Sequence, residues 1–199
     1  MHLRATAILL AARPHGETAV ITRLLTRDNG IVAAYVAGGR GRQLRPVVIP
    51  GNLVEADIRA KTDSQLPFAR LELAQSRGPW LTEPLPAAAI NWTCALTASV
   101  LPERNPFPSL YDALSALLDA ICNAPSARGW APALAAYEVL LLRELGYGGQ
   151  KPEIDRLEQA LEILRANEDQ IARYLLADTR ADVLAARSLL MQRLERIAS

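Results

Sequence analysis

The 199-residue chain has two cysteines, two histidines and two lysines, and only 5% of it is aromatic. Each shortage closes off a class of chemistry. Cys94 and Cys122 cannot supply a thiol cluster for zinc. A disulfide between them is open, and a reducing cytoplasm is the simpler reading. His2 and His15 have no cysteine or acid-rich loop beside them, so His15 reads as a solvated turn residue before a ligand or proton shuttle. Neither Lys61 nor Lys151 follows a glycine, so no phosphate-binding P-loop is present. GxSxG and HExxH are absent as well. No apolar run approaches the roughly 18 residues that span a bilayer. The short apolar stretch after Arg4 is interrupted by Arg13-Pro14 and resumes as a strand pattern, against a leader. A cytoplasmic, non-enzymatic protein without membrane, metal or cofactor is expected.

Half of the residues are apolar and 22% are charged, a globular composition. The net charge of +1 hides an asymmetry. Residues 1–78 carry 11 basic against 6 acidic side chains, and residues 79–199 carry 11 against 15. Two units with different partners are implied.

The basic front reads as five strands. Residues 5–12 form an apolar run closed by the turn signal Arg13-Pro14-His15-Gly16. Residues 18–26 end at Asp28-Asn29-Gly30, and Asn-Gly favours a hairpin returning through residues 31–37. Between 53 and 61, Val54, Ala56, Ile58 and Ala60 alternate with Glu55, Asp57, Arg59 and Lys61. Residues 68–74 repeat the pattern. Five short strands in a segment this small predict an OB-type barrel over residues 1–78, because an open sheet would leave exposed edges.

After the prolines at 79, 84 and 86 the period becomes helical, so residues 79–199 are expected to be all-α, giving an α+β protein. Leu110, Ala113, Leu114, Leu117, Leu118 and Ile121 form one stripe. Residues 131–145 are apolar on nearly every side and end at Gly146, as a central buried helix with a glycine cap would. Ile154, Leu157, Leu161 and Leu164 predict another helix. Val183, Arg187, Leu190, Leu194 and Ile197 predict a last one, with Asp182 in its first turn.

One constellation stands above this background. Gly38-Gly39-Arg40-Gly41-Arg42-Gln43-Leu44-Arg45-Pro46 places three guanidiniums on a flexible loop between strands. Such forks suit phosphate oxygens, and glycines leave backbone N–H groups free for anions. Arg13, Arg23, Arg27, Arg59 and Lys61 extend the patch if the barrel brings them to one side. The competing reading is a solvated surface loop. Tyr35 and Phe68 are the only Tyr, Phe or Trp residues before residue 79, so stacking platforms look thin and any nucleic-acid binding should be mainly electrostatic.

These segments resemble the bacterial recombination mediator family RecO over nearly the whole chain. The likeness rests on Arg13-Pro14-His15-Gly16-Glu17-Thr18, on Leu24-Leu25-Thr26-Arg27-Asp28-Asn29-Gly30, and on the Gly38–Pro46 loop followed by Ile49-Pro50-Gly51-Asn52. It continues in Tyr137-Glu138-Val139-Leu140-Leu141-Leu142-Arg143-Glu144-Leu145-Gly146-Tyr147-Gly148. The resemblance implies an OB barrel, a helical domain, binding to single- and double-stranded DNA, and annealing of complementary strands. It also implies contact with the acidic C-terminal tail of the single-stranded DNA-binding protein SSB and, with RecR, loading of RecA. Two departures matter. The cysteine cluster that many relatives carry after Leu-Gly-Tyr-Gly is missing, since Gly149-Gln150-Lys151-Pro152 runs directly toward the next helix, so zinc is not carried over. Ala135-Ala136 stands where relatives commonly place arginine before the aromatic-Glu pair, which leaves Arg128, Tyr137 and Arg143 as candidate partner-binding residues. A protein–protein adaptor with a barrel that has lost DNA binding is the rival reading.

Overall fold

The computed structural model of the chain describes residues 2–62, 65–148, 152–177 and 181–198, with backbone alone at 181 and 182. Five strands come first: β1 (His2–His15), β2 (Ala19–Thr26), β3 (Gly30–Val36), β4 (Leu53–Arg59) and β5 (Phe68–Gln75). They close into a barrel in the order β1-β2-β3-β5-β4, with β4 returning to β1. Only the β3–β5 pairing is parallel. This is the OB arrangement expected from the sequence. The alternation in β4 holds: Val54, Ala56 and Ile58 point inward, where they meet Leu9, Val20, Leu24, Val32, Ala34 and Leu71 in one core.

The first turn lies further along than the Arg13-Pro14 signal suggests. Arg13, Pro14 and His15 remain in β1, paired with Ile21, Val20 and Ala19, and the chain turns at Gly16 with φ +60°. Proline is tolerated because β4 pairs with β1 only as far as Ile8, so this stretch of β1 has a second edge outside the ladder. A bulge between Leu9 and Ala11 bends the strand between its two neighbours. The Asn29-Gly30 hairpin forms as expected. Gly30 needs to be glycine twice over: its φ is +65°, and a Cβ would lie 2.1 Å from the Asn105 carbonyl oxygen.

Asn105 belongs to an excursion that a single boundary at residue 78 does not contain. The compact units are Met1–Thr82 with Leu101–Tyr111, and Glu83–Val100 with Asp112–Ser199. The Arg104 N–H donates to the Ile31 carbonyl at 2.9 Å, Glu103 bridges Ile31 in parallel, and Leu101 is buried.

The rear of the chain holds five helices among the described residues: α1 (Pro84–Val100), α2 (Pro108–Asn123), α3 (Ala131–Glu144), α4 (Leu157–Gln170) and α5 (Ala181–Ala198). In α2 the predicted stripe buries Leu110, Leu114, Leu117, Leu118 and Ile121. α3 ends as predicted: Gly146 has φ +87°, its N–H donates to Arg143, and the Tyr147 N–H donates to Leu142. These are the paired bonds of a Schellman cap. Ile154 lies outside α4, contrary to expectation, because Arg156 is extended at the N-cap and Gln159 Oε1 takes the N–H groups of Asp155 and Arg156. The Gly149-Gln150-Lys151 stretch and the Asp182 side chain lie outside the described residues. No described helix is long and apolar enough to cross a membrane.

Four of these helices meet at one buried carboxylate. Glu138 on α3 accepts from Trp92 Nε1 of α1 at 2.9 Å, Asn167 Nδ2 of α4 at 3.3 Å and Arg187 Nη2 of α5 at 3.1 Å. Arg187 also donates to the Leu164 carbonyl, reaches Glu168 at 3.5 Å and lies over the Trp92 ring. Arginine in an otherwise apolar α5 stripe is thereby explained. Burial pushes the Glu138 carboxyl up, while Arg187, Trp92 and Asn167 pull it back. Removing the Glu138 carboxylate leaves the buried Arg187 only the longer carboxylate contact, to Glu168 at 3.5 Å. Glu138→Ala should therefore cost about 3–5 kcal/mol in chemical denaturation, and pairing it with Arg187→Leu should recover much of that loss.

Candidate nucleic-acid interface

The arginine-bearing loop is folded, not slack. Residues 37–52 leave β3 and cap one end of the barrel: Val47 enters the core, and Leu44 and Val48 pack against it. The Gly41 N–H donates to Gly38, the Arg45 N–H to Gly41, and the Val47 and Val48 N–H groups to Leu44. The Arg40 N–H donates to the Thr18 carbonyl at 2.9 Å. Several amides that the sequence reading left free for anions are thus already paired, which is a correction. Gly39 is pressed so closely on β2 that a Cβ would lie 2.4 Å from Val20 Cγ2. The far end of the loop is anchored by Asn52, which is fully buried. Its Nδ2 donates to Pro46 and Val47, and its Oδ1 accepts from the Arg77 N–H. Arg77, also buried, donates from Nη1 to the Gly51 carbonyl at 2.6 Å.

The eight predicted DNA-contacting cations do not form one patch. Arg40 donates to the Gly16 and Glu17 carbonyls at 3.3 and 3.1 Å, joining the loop to the β1–β2 turn. Arg42 and Arg45 are exposed, and Arg13 is exposed at the same end of the barrel, at the close of β1. Arg27 lies at the opposite end of β2, 3.6 Å from Asp28. Arg23 is tied to Glu103 at 2.7 Å and holds the excursion to the barrel. Arg59 grips Asp57 through both Nε and Nη2, at 2.9 and 2.8 Å. His2 and Arg4 approach the same carboxylate at 3.0 and 3.4 Å. Arg59, with His2 and Arg4, holds the Asp57 carboxyl well below the usual carboxylate range. Lys61 follows β4 and is exposed.

The register also assembles a feature that the sequence hides. His2, Arg59, Phe68, Tyr35, Ile21 and Arg13 are successive cross-strand partners on the outer face. Tyr35 and Phe68, 33 positions apart in sequence, have ring centroids 5.2 Å apart, and His15 meets Tyr35 edge-on at 5.8 Å. The Tyr35 N–H donates to the Pro67 carbonyl at 2.8 Å, which fixes the start of β5 beside β3.

In the helical unit, a groove of about 390 Å³ runs between α2 and α3, lined by Ala113, Ala116, Leu117, Ala133, Ala136, Tyr137, Val139, Leu140 and Arg143. The helix expected to be central and buried, apolar on nearly every side, leaves Val139 and Leu140 half-buried along this groove. Tyr137 is at its floor, with its hydroxyl 2.6 Å from Thr97 Oγ1, and burial holds its phenol up. Arg143 stands exposed at the rim. Arg128 does not line the groove; it pairs with Glu158 at 3.3 Å. No group of three metal-binding side chains occurs among the described residues.

Comparison with known proteins agrees with the two-part architecture. The family described as Recombination protein O N terminal matches residues 1–77, and Recombination protein O C terminal matches residues 83–150. The chain belongs to the recombination protein O family. It is similar to the DNA repair protein RecO of Rhodospirillum centenum, with 45% identity over 143 residues, and to that of Rhodospirillum rubrum, with 42% over 144. Each alignment covers 71% of this chain, but 56% and 57% of the relatives. The RecO protein of Phenylobacterium zucineum is 38% identical over 149 residues, covering 74% of the chain and 60% of the relative. The chain thus spans less than two thirds of the length of these relatives. Residues 151–199 lie beyond both matched segments.

The loop anchor can be tested by itself. Asn52→Ala leaves the Val47 carbonyl and the Arg77 N–H without this partner in the interior and removes the half-buried bond to Pro46. It should cost about 1–3 kcal/mol in thermal or urea unfolding. Limited proteolysis should then cut within 37–50 before it cuts the strands.

Proposed function

We propose that the chain is a non-enzymatic DNA-binding mediator of recombinational repair. It binds single- and double-stranded DNA through the barrel end that carries Arg13, Arg40, Arg42 and Arg45. Guanidiniums there lower the repulsion between two phosphate backbones, so complementary strands can meet while base pairing supplies the specificity. The observation that carries the reading is the exposure of Arg42 and Arg45 on a loop seated by Gly39 and Asn52, which holds these charges toward solvent with no ion pair to a carboxylate among the described residues. By contrast, Arg23 and Arg59 are matched by acids and serve the barrel itself.

The α2–α3 groove is the proposed seat for the C-terminal tail of SSB. The groove has apolar walls, and Arg143 at its rim suits a carboxylate of the acidic tail. Cooperation with RecR in loading RecA onto SSB-coated strands completes the proposal. Capture of the tail then rests on Arg143, since Ala136 lines the groove and Ala135 is buried.

Fluorescence anisotropy of a labelled single-stranded oligonucleotide across a salt series tests the reading. Binding should weaken steeply with salt. Arg42→Ala with Arg45→Ala should lower affinity and flatten the logarithmic salt slope by about 0.7 per removed contact. Arg23→Ala should leave the slope unchanged while loosening the fold. Absence of binding at low salt, with the tail peptide still captured, would transfer the assignment to the protein–protein adaptor.

A further inference from the structure

We propose that Phe68 and Tyr35 form a ledge on which bases of single-stranded nucleic acid stack. The inference rests on the DNA-binding reading above and adds to it a second, non-electrostatic mode of contact.

Three observations converge on this surface. Phe68 is 47% exposed, unusual for a phenylalanine, and its ring lies 5.2 Å from that of Tyr35 at an angle of 42°. The pair is held by backbone, through the ladder contact of Tyr35 with Phe68 and the bond from Tyr35 to Pro67, so the rings are positioned before any ligand arrives. Second, the excursion Leu101–Tyr111 covers the hairpin end of the β2–β3 outer surface, where Leu25 and Ile31 are fully buried. Ile21 and Tyr35, at the other end of the same two strands, stay partly open. The uncovered part of that sheet face is therefore the part bearing the ledge.

Third, charge flanks the aromatics on the side where a phosphate backbone would run. Arg13 is the next outward residue beyond Ile21 in the same cross-strand row, and β3 leads from Tyr35 directly into the loop with Arg40, Arg42 and Arg45. On the other flank, Arg59 is matched by Asp57, and Arg4, sharing that one carboxylate, is the guanidinium in excess. A planar aromatic face between cations suits a nucleobase with its phosphates. An acidic peptide would use the cations and leave the rings idle. Stacking tolerates any base, so the ledge would add affinity without sequence preference.

The experiment compares two oligonucleotides of equal length and phosphate count, one carrying thymines and one abasic, in anisotropy titrations with the full chain. The unaltered protein should bind the thymine strand at least about fivefold more tightly. Phe68→Leu and Tyr35→Leu, which keep apolar bulk and remove the ring, should erase most of that ratio while leaving the abasic affinity and salt slope in place. Equal affinity for the two strands, or a ratio that survives both variants, overturns the ledge and leaves the electrostatic site standing. Failure of the unaltered protein to bind either strand at low salt overturns the DNA-binding reading and the ledge with it. Loss of SSB-tail binding in the leucine variants, with the thymine preference intact, would assign the rings to a protein partner and overturn the proposal.

Discussion

β1 pairs with β4 from His2 to Ile8 and with β2 from Ala7 to His15, turning between them at the bulge beside Leu10. A strand of this length, shared by both sides of the sheet, is what closes five strands into a barrel with no long open edge. The same offset brings the two ends of β1 into one cross-strand row, with His2 at one end and Arg13 at the other. The aromatic pair sits inside that row because closure demands the shift. The end of β1 also presents Gly16 and Glu17, whose carbonyls receive Arg40. Closure of the barrel and placement of the arginine loop therefore have one geometric origin.

Charge in this barrel is divided between structure and binding. Arg23 and Arg59 are each met by a carboxylate, and such pairs steady a surface without leaving a field for phosphate. Arg42 and Arg45 have no such neighbour among the described residues, and the loop beneath them is stiffened by buried Asn52 and Arg77. The helical unit solves a different problem with the same chemistry. Glu138 and Arg187 are buried together and tie α3 to α5, with Trp92 and Asn167 drawing in α1 and α4. That tie is buried, and α3, which carries Glu138 inward, also lines the apolar groove beside Arg143.

The strands were legible because one face of each is buried, so period-2 alternation appears directly in residues 54–60 and 69–71. The Schellman end of α3 was legible from Gly146 for a similarly local reason. What the sequence concealed is non-local. Arg13-Pro14 reads as a turn, but an open strand edge accommodates proline. Nothing near Leu101–Tyr111 announces that it returns to the barrel, since its partners Ile31 and Arg23 lie some 70–80 residues earlier. Counting arginines overstated the patch: Asp57 meets Arg59 from two residues away on the same strand, and Glu103, which meets Arg23, comes from the excursion. Counting aromatics missed the pairing, because Tyr35 and Phe68 become neighbours only on the parallel β3–β5 contact.

Amide hydrogen exchange of the full chain, with and without a single-stranded oligonucleotide at low salt, tests the central claim that the barrel end is the DNA-binding surface. The account predicts slowed exchange in residues 13–18 and 35–46, with α2 and α3 unchanged. Protection confined to the helices, with those barrel segments exchanging as before, would contradict it.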